Sequence, residues 1–284
     1  MKDKEVLFDI IRAKAEVLAS PTQFSCYTVI FITQGSGVYH ADFGTFPFTA
    51  PVMLFSTPLQ QIYIEQDGLS DIIMLQFHGD FYCIEYHRAE VSCNGLLFNN
   101  CYIEPSISLE ETDSFIFQNI LKDLEQEFTE CEPNEILIKT YLQLWLAKSS
   151  SIKIKSLNNL CSKDIDRVME QFRELINEHY LTLHKPNEYA ELLNMSPNNL
   201  TKRSSRYFNK TPSQLISERL ILEAKKQLHL TRKSIKEIAY YLKFKDEFYF
   251  SRVFKKFTKV SPQAFREKTG ISIVADQPDY QSKI

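Results

Sequence analysis

Two stretches of the 284-residue chain decide its fold, because each has the pattern of the other. Glu188-Tyr-Ala-Glu-Leu-Leu-Asn-Met-Ser196 can be laid over Glu237-Ile-Ala-Tyr-Tyr-Leu-Lys-Phe-Lys245 with a constant shift of 49 residues. In each copy a short helix with a small residue, Ala190 or Ala239, is followed by a tight turn. A second, basic helix comes after each turn. The repeat therefore predicts two helix-turn-helix motifs.

The starts of the surrounding helices are marked by a hydroxyl residue followed by proline. Ser196-Pro197, Thr211-Pro212 and Ser261-Pro262 each place a hydroxyl at the N-cap and a proline at the first helical position, where its missing N–H costs nothing. With the apolar spacing, these signals predict helices over about 164–180, 186–193, 197–207, 212–229, 235–242 and 246–257, and a short one from Pro262. The C-terminal part is therefore predicted to be all-α.

The two halves of the chain carry opposite net charges. The formal net charge of −3 is the sum of −11 for residues 1–160 (10 basic, 21 acidic) and +8 for residues 161–284 (23 basic, 15 acidic). Residues 181–270 alone carry 19 basic and 8 acidic side chains, a net of +11. Because a basic surface attracts polyanions, the C-terminal half is the candidate polyanion binder.

The N-terminal part has the pattern of strands followed by a helical hairpin. Six of the seven glycines fall in the first 95 residues, and aromatic and β-branched runs such as Tyr27–Thr33 and Asp71–Phe77 recur from Phe24 to about Ile103. From Ile107 to Lys148 apolar residues recur at helical spacing on both sides of a Glu-Pro-Asn break. These patterns predict a small antiparallel barrel or sandwich and then an αα-hairpin.

The polar stretch Lys148–Ser162 lacks sustained periodicity and is the predicted domain boundary. We expect a sensing and dimerisation domain over residues 1–148, a linker over 149–163 and a helix-turn-helix domain over 164–284. No segment reaches the roughly 18 consecutive apolar residues of a membrane helix, and the charged start lacks a signal-peptide core. A cytoplasmic protein with six reduced cysteines is expected.

Residues Lys185–Lys268 resemble the DNA-binding domain of AraC/XylS-type transcriptional regulators. The resemblance is carried by Ala190, Leu193, Ser196-Pro197 and Leu200, by the connecting helix Arg219–Leu228, by Ile235–Ala239, by Phe244–Phe257 and by Val260–Arg266. It implies two helix-turn-helix units that place their second helices in neighbouring major grooves of double-stranded DNA, about 34 Å apart. It also implies a regulator of promoters. The competing class, an enzyme, is not expected because no Ser/His/Asp order, Gly-rich phosphate loop or Cys-x-x-Cys motif is present, and no cofactor is expected.

Polar and basic side chains of the two second helices are the candidates for DNA contact. They are Asn198, Asn199, Thr201, Lys202, Arg203 and Arg206 in the first, and Glu247, Ser251, Arg252, Lys255 and Lys256 in the second. Asn pairs well with adenine and Arg or Lys with guanine, whereas Arg203 and Lys256 are expected to hold phosphates. The alternative for each is a solvated helix face. The helix-spaced aromatics are expected in the core: Phe250, Phe254, Phe257 and Phe265.

Four positions depart from the family pattern. The family usually has glycine where this chain has Asn194, Asn209 and Lys243, and a large apolar residue where it has Ser204. Asparagine tolerates a left-handed backbone, but a lysine there is strained, so the second turn is expected to be reshaped. Ser204 likewise predicts a different seating of the first recognition helix.

The N-terminal domain in this family is often a cupin-like β-barrel followed by dimerising helices, and the strands and hairpin resemble that plan. The resemblance thus implies an α+β multidomain chain: a cupin-like antiparallel β-barrel with an αα-hairpin, then an all-α double helix-turn-helix domain. A small-molecule effector is expected in an apolar pocket, although the same aromatics would equally fill a barrel core. The candidates are Phe24, Phe31, Tyr39, Phe43, Phe46, Phe48, Phe55 and Phe77. The apolar hairpin favours a homodimer, and RNA polymerase is a further candidate partner.

One local cluster of soft metal ligands remains. His78, Cys83, His87 and Cys93 lie within 16 residues, but their spacings match no zinc motif. No metal site is therefore predicted. A metal- or thiol-responsive regulator using this cluster is the alternative to an effector-modulated transcription factor.

Overall fold

The structure, a computed structural model, describes residues 7–42, 44–67, 71–83, 95–160 and 166–270. Its contacts divide the chain into two units, one of residues 1–100 and 104–159 and the other of residues 101–103 and 160–284. No helix in the described ranges is both long and apolar enough to cross a membrane.

Alternating apolar residues build two antiparallel sheets in the N-terminal unit. The strands are β1 (Phe8–Lys14), β2 (Tyr27–Ile32), β3 (Ser36–Ala41), β4 (Gly44–Thr49), β5 (Val52–Ser56), β6 (Ile62–Asp67), β7 (Asp71–Phe77) and β8 (Ser106–Ser108). One sheet has the order β1-β7-β2-β5-β8 and the other the order β4-β3-β6. Strand β2 is central in the larger sheet, where Val29 pairs with Phe55 on one side and with Leu75 on the other.

Strand β2 is buried at every position because both faces of its sheet are covered. Val29 and Phe31 point to a core shared with the hairpin helices, while Ile30 and Ile32 point to the smaller sheet. Successive side chains of a strand alternate between faces, so a sheet covered on both faces needs an unbroken apolar run. This is the physical reason for the run Tyr-Thr-Val-Ile-Phe-Ile.

The predicted fold class is confirmed, with an antiparallel β-domain and its helical hairpin, and in the described residues the strands form two sheets that do not close into a barrel. Apolar side chains between the two sheets, such as Leu54, Ile62 and Met74, join them face to face, as in a sandwich. Strand β4 stays at an edge and contains Pro47, which has no N–H for a further ladder bond. Strand β1 lies in a charged segment to which the sequence analysis assigned no strand.

Two helices form the predicted hairpin, α1 (Glu111–Phe128) and α2 (Glu135–Leu160). Helix α2 continues through residues 149–160, where the sequence predicts a polar linker. Two of the polar residues there, Ser149 and Lys153, are buried in the N-terminal unit, and the Lys153 ammonium donates to the carbonyl oxygens of Glu104 (3.0 Å) and Ser106 (2.7 Å). The proposed domain boundaries stay a prediction.

The C-terminal unit is helical, as predicted. Its helices are α3 (Arg167–His179), α4 (Pro186–Leu192), α5 (Pro197–Tyr207), α6 (Pro212–Leu230), α7 (Ile235–Tyr241), α8 (Glu247–Thr258) and α9 (Pro262–Thr269). Hydroxyl caps start α5, α6 and α9, because Ser196, Thr211 and Ser261 each accept a hydrogen bond from the backbone N–H three residues later. Helix α6 connects the two motifs and packs against α4 and α5 as well as α7 and α8.

Candidate nucleic-acid interface

The two helix-turn-helix motifs, α4-turn-α5 and α7-turn-α8, have the same turn hydrogen bonds. In the first, Met195 N–H donates to the Ala190 carbonyl at 2.9 Å and Asn194 N–H to that of Glu191 at 3.0 Å. In the second, Phe244 N–H donates to the Ala239 carbonyl at 2.9 Å and Lys243 N–H to that of Tyr240 at 3.0 Å. Donors and acceptors are all related by the 49-residue shift. The sequence repeat is thus a repeat of backbone geometry.

A left-handed residue makes each turn, and the second turn keeps this geometry although a lysine occupies the position. Asn194 has φ +52° and Lys243 has φ +60°. The expected reshaping at Lys243 is therefore wrong: the turn keeps its hydrogen bonds and places the lysine in a region that side chains with a Cβ disfavour.

The two turns differ in length by one residue. Ser196 caps α5 directly after Met195, whereas Lys245 separates Phe244 from the cap Asp246 of α8. The recognition helices, α5 and α8, are therefore related by a shift of 50 residues. Pro197 and Glu247 are their first residues.

A polar residue, Ser204, holds α5 in place at the position where the family usually has a large apolar residue. Ser204 is fully buried, and its hydroxyl donates to the Lys210 carbonyl at 2.7 Å. Leu200 supplies the apolar contact of this helix with Phe172 and Tyr189 in one core cluster. A hydrogen bond thus satisfies the buried serine, and the next turn of chain is tied to α5.

Arg203 serves the fold of the C-terminal unit. Its Nε donates to Asp166 Oδ2 at 2.9 Å, and its Nη2 also bonds that carboxylate. Asp166 in turn caps α3 by accepting from Val168 N–H at 3.1 Å and Met169 N–H at 3.3 Å. The Arg203 guanidinium and these N–H donors hold the pKa of the Asp166 carboxyl below its usual range. The expected phosphate contact of Arg203 therefore competes with an ion pair already made.

The other candidates on α5 lie on its accessible surface. Asn198, Asn199, Thr201, Lys202 and Arg206 are all exposed. The Thr201 hydroxyl donates to the Pro197 carbonyl at 2.9 Å, so its methyl group is the part directed away from the backbone. The exposed face therefore offers two amides and two cations.

On α8 the basic candidates Arg252, Lys255 and Lys256 are exposed, while Glu247 and Ser251 are half-buried. The core face consists of aromatic rings, as expected: ring centroids are 5.8 Å apart for Phe250 and Phe254 and 5.5 Å apart for Phe254 and Phe265. These three side chains are buried, and Phe257 is half-buried.

Two exposed aromatics on α8 were missed by the sequence analysis. The Phe248 side chain is 70% exposed and that of Tyr249 is 50% exposed. The available signal was their place directly after the cap Asp246 and the first residue of α8, where helix-turn-helix proteins contact base edges. Arg252 lies with its guanidinium carbon 5.9 Å from the Tyr249 ring centroid.

The predicted effector-pocket residues fall into two separate groups in the N-terminal unit. Phe31, Phe55 and Phe77 lie in the core between the larger sheet and the hairpin. Tyr39 and Phe48 lie between the two sheets, with Phe24 and Phe46 packed at the edge of that core. Phe43 lies outside the described residues.

A cavity of about 350 Å³ opens beside the first group, lined by Arg12, Lys14, Phe31 and Thr33 among others. Both of its cations are paired: Arg12 Nε donates to Glu125 at 2.7 Å, and Lys14 Nζ lies 2.7 Å from an Asp71 carboxylate oxygen.

The Cys/His cluster is described only in part. His78 is buried and its Nδ1 accepts from Asp80 N–H at 3.2 Å, and Cys83 is half-buried. His87 and Cys93 lie outside the described residues. Within the part of the chain that the structure describes, no three His, Cys, Asp or Glu side chains are grouped to hold a metal ion.

A comparison with known proteins covers the turns and the second helices of both motifs. Residues 189–268 match the family model described as a helix-turn-helix domain. The raffinose operon transcriptional regulatory protein RafR of Pediococcus pentosaceus is 28% identical over 133 residues, 46% of this chain and 44% of that protein. The matched part thus spans less than half the length of this curated relative.

Solved structures of low similarity accompany this match. The C-terminal domain of AraT, a response regulator from Geobacillus stearothermophilus, is 26% identical, covers 42% of this chain and 99% of its own, and has a TM-score of 0.37. ToxT from Vibrio cholerae, solved with a bound unsaturated fatty acid, is 17% identical, covers 98% of this chain and 100% of its own, and has a TM-score of 0.42.

Proposed function

We propose that this chain, whose residues 189–268 form a helix-turn-helix domain of the AraC/XylS type, is a sequence-specific DNA-binding transcription regulator modulated through its N-terminal domain. One observation carries the proposal. Two turns with the same hydrogen bonds each present a capped helix with an exposed polar or basic face. A helix of this kind fits the B-DNA major groove, which is about 12 Å wide.

The exposed groups fit the chemistry of DNA recognition. The Asn198 and Asn199 amides match the paired donor and acceptor of adenine, and Lys202 and Arg252 match the two acceptors of guanine. Arg206, Lys255 and Lys256 supply charge for phosphates. The net +11 of residues 181–270 supports binding to a polyanion, and the −11 of residues 1–160 supports a different role for the N-terminal half.

The cavity beside Phe31 is the proposed effector site. Its volume of about 350 Å³ is that of a small-molecule pocket, and its cations can exchange their carboxylate partners for a polar ligand. A thermal-shift screen of small metabolites with the full chain tests this. A stabilising compound should lose its effect when Thr33→Trp fills the cavity, and binding that persists in this variant would move the effector elsewhere.

Homodimerisation through the hairpin is also proposed. Of the apolar hairpin residues, Leu121, Leu124 and Trp145 are buried in their own unit, but Leu137 and Leu144 remain 42% and 41% exposed, seven residues apart on α2. Light scattering of Leu137→Glu/Leu144→Glu against the unsubstituted chain tests this surface. A dimer that survives both charges would exclude it.

Regulation in the cytoplasm, contact with RNA polymerase and the absence of a catalytic role complete the proposal. The deciding experiment measures dissociation constants for promoter DNA of neighbouring genes and for random duplex at several salt concentrations. A specific regulator keeps a ratio of at least about 10³ at physiological salt. Equal affinities with equal salt slopes would leave only a non-specific binder.

A further inference from the structure

Phe248 and Tyr249 form an exposed apolar surface at the start of α8. Their side chains are 70% and 50% exposed. The same helix packs through Phe250 and Phe254, which are fully buried. Phe248 is therefore not required to fill the core, and its ring is available to a partner.

The position of Phe248 indicates which partner. With the 50-residue shift between recognition helices, Phe248 and Tyr249 of α8 correspond to Asn198 and Asn199 of α5, the second and third residues of each helix. These residues contact base edges in helix-turn-helix complexes. The first motif thus presents two amides at the place where the second presents two rings.

Charge around the rings favours DNA over an apolar protein groove. The second motif carries four exposed cations, Lys245, Arg252, Lys255 and Lys256, which outnumber the two acidic residues beside the rings, Asp246 and Glu247. A phenylalanine cannot donate or accept a hydrogen bond, and the apolar group that base edges offer in the major groove is the 5-methyl group of thymine.

We propose that Phe248 recognises thymine through its 5-methyl group, an inference that rests on the proposed function. Apolar contact then specifies the half-site of the second motif. Tyr249 is a positioning residue in this arrangement. Its ring centroid lies 5.9 Å from the guanidinium carbon of Arg252, so the ring attracts that cation at a point about one helical turn further along α8. The half-site of the first motif is specified by hydrogen bonds from Asn198 and Asn199.

Removal of single methyl groups from the DNA tests this. The full chain first selects an operator from a random duplex pool. Each thymine is then replaced in turn by deoxyuridine, which lacks only the 5-methyl group. At one or two thymines of one half-site the dissociation constant should rise about fourfold per methyl, the ratio expected for burying one such group.

Substitutions test whether the response to deoxyuridine depends on the Phe248 side chain. Phe248→Asn, which gives α8 the residue of α5, should weaken binding to the thymine operator and make deoxyuridine and thymine equivalent there. Phe115→Ala is the matched control, because Phe115 is 64% exposed on α1 in the other unit, and it should keep the full deoxyuridine response. Asn198→Ala should also keep that response while losing discrimination in the other half-site.

Two outcomes would overturn the inference and leave the proposed function intact. One is specific operator binding with no deoxyuridine effect at any thymine. The other is an unchanged deoxyuridine response in Phe248→Asn, which would assign the methyl contact to another residue. Failure to select any operator would instead contradict the proposed function itself.

Discussion

The two helix-turn-helix motifs of this chain share a backbone but differ in the chemistry that supports it. Both turns close with hydrogen bonds of 2.9 Å and 3.0 Å between corresponding atoms. Behind the first recognition helix lie a buried serine and an arginine–aspartate pair, and behind the second lies a row of phenylalanines. The same geometry is therefore kept with different support: hydrogen bonds beside the packing of Leu200 on Phe172 and Tyr189 in the first motif, and phenylalanine packing in the second.

This difference extends to the exposed faces. The first helix presents Asn198 and Asn199 and the second presents Phe248 and Tyr249 at corresponding positions. Duplicated folds with different surfaces allow one protein to recognise two unlike half-sites.

The largest expected effect breaks the aromatic support of the second motif. Phe254→Ala removes a fully buried ring and should cost about 3–5 kcal/mol of unfolding free energy, whereas Ser204→Ala at the corresponding position loses one hydrogen bond and should cost about 1–2 kcal/mol. Urea unfolding followed by circular dichroism measures both costs. The single tryptophan, Trp145, lies in the N-terminal unit, so its fluorescence transition should not move. Equal costs would contradict the distinction between the two supports.

The next effect compares the two recognition helices in DNA binding. Lys202→Ala and Arg252→Ala occupy corresponding positions and should each cost about 1–3 kcal/mol of operator affinity and relax specificity in different half-sites. Arg203→Ala is the control, because Arg203 on α5 is already paired with Asp166. This substitution should lower the free energy of unfolding and leave the salt dependence of the DNA dissociation constant unchanged. If both first variants bind as the unsubstituted chain does, the recognition helices are misassigned.

The helices could be predicted from the sequence because their caps are local. The contacts between residues far apart in sequence could not. Caps such as Ser196 and Thr211 act within three residues, so the sequence displays them directly. The partner of Arg203 is 37 residues away, and nothing near Arg203 in sequence distinguishes it from a DNA contact. Likewise, the helical residues after Lys148 have the composition of a polar linker. The hydrogen bonds of Lys153 to the distant carbonyls of Glu104 and Ser106 are visible only in the structure.

The ion pair between Arg203 and Asp166 predicts a pH dependence of the stability of the C-terminal unit. Because the folded-state pKa of Asp166 is lowered, chiefly by Arg203, its stabilisation is present above the unfolded pKa of about 3.9 and is lost as the pH falls through the folded value. Asp166→Ala should cost about 1–2 kcal/mol at pH 7 and progressively less as the pH falls below the unfolded pKa. Ser196→Ala, which removes an uncharged cap, is the control whose cost should persist on acidification. The measurement is urea unfolding of each variant across this range.

The smallest effect concerns the turns themselves. Lys243 has φ +60°, where a side chain with a Cβ is strained, so Lys243→Gly should stabilise the chain by about 0.5–1 kcal/mol after the entropy cost of glycine. Asn194→Gly should change stability by less than about 0.5 kcal/mol, because asparagine tolerates φ +52°. Lys259→Gly, at φ +64° after α8, tests whether the gain follows the dihedral angle. Thermal unfolding by circular dichroism compares the three. If only Lys243→Gly is stabilising, the backbone strain is specific to the second turn. If both lysine variants are stabilising, the strain arises from any lysine in a left-handed backbone, and the two turns then differ only in the side chain at this position.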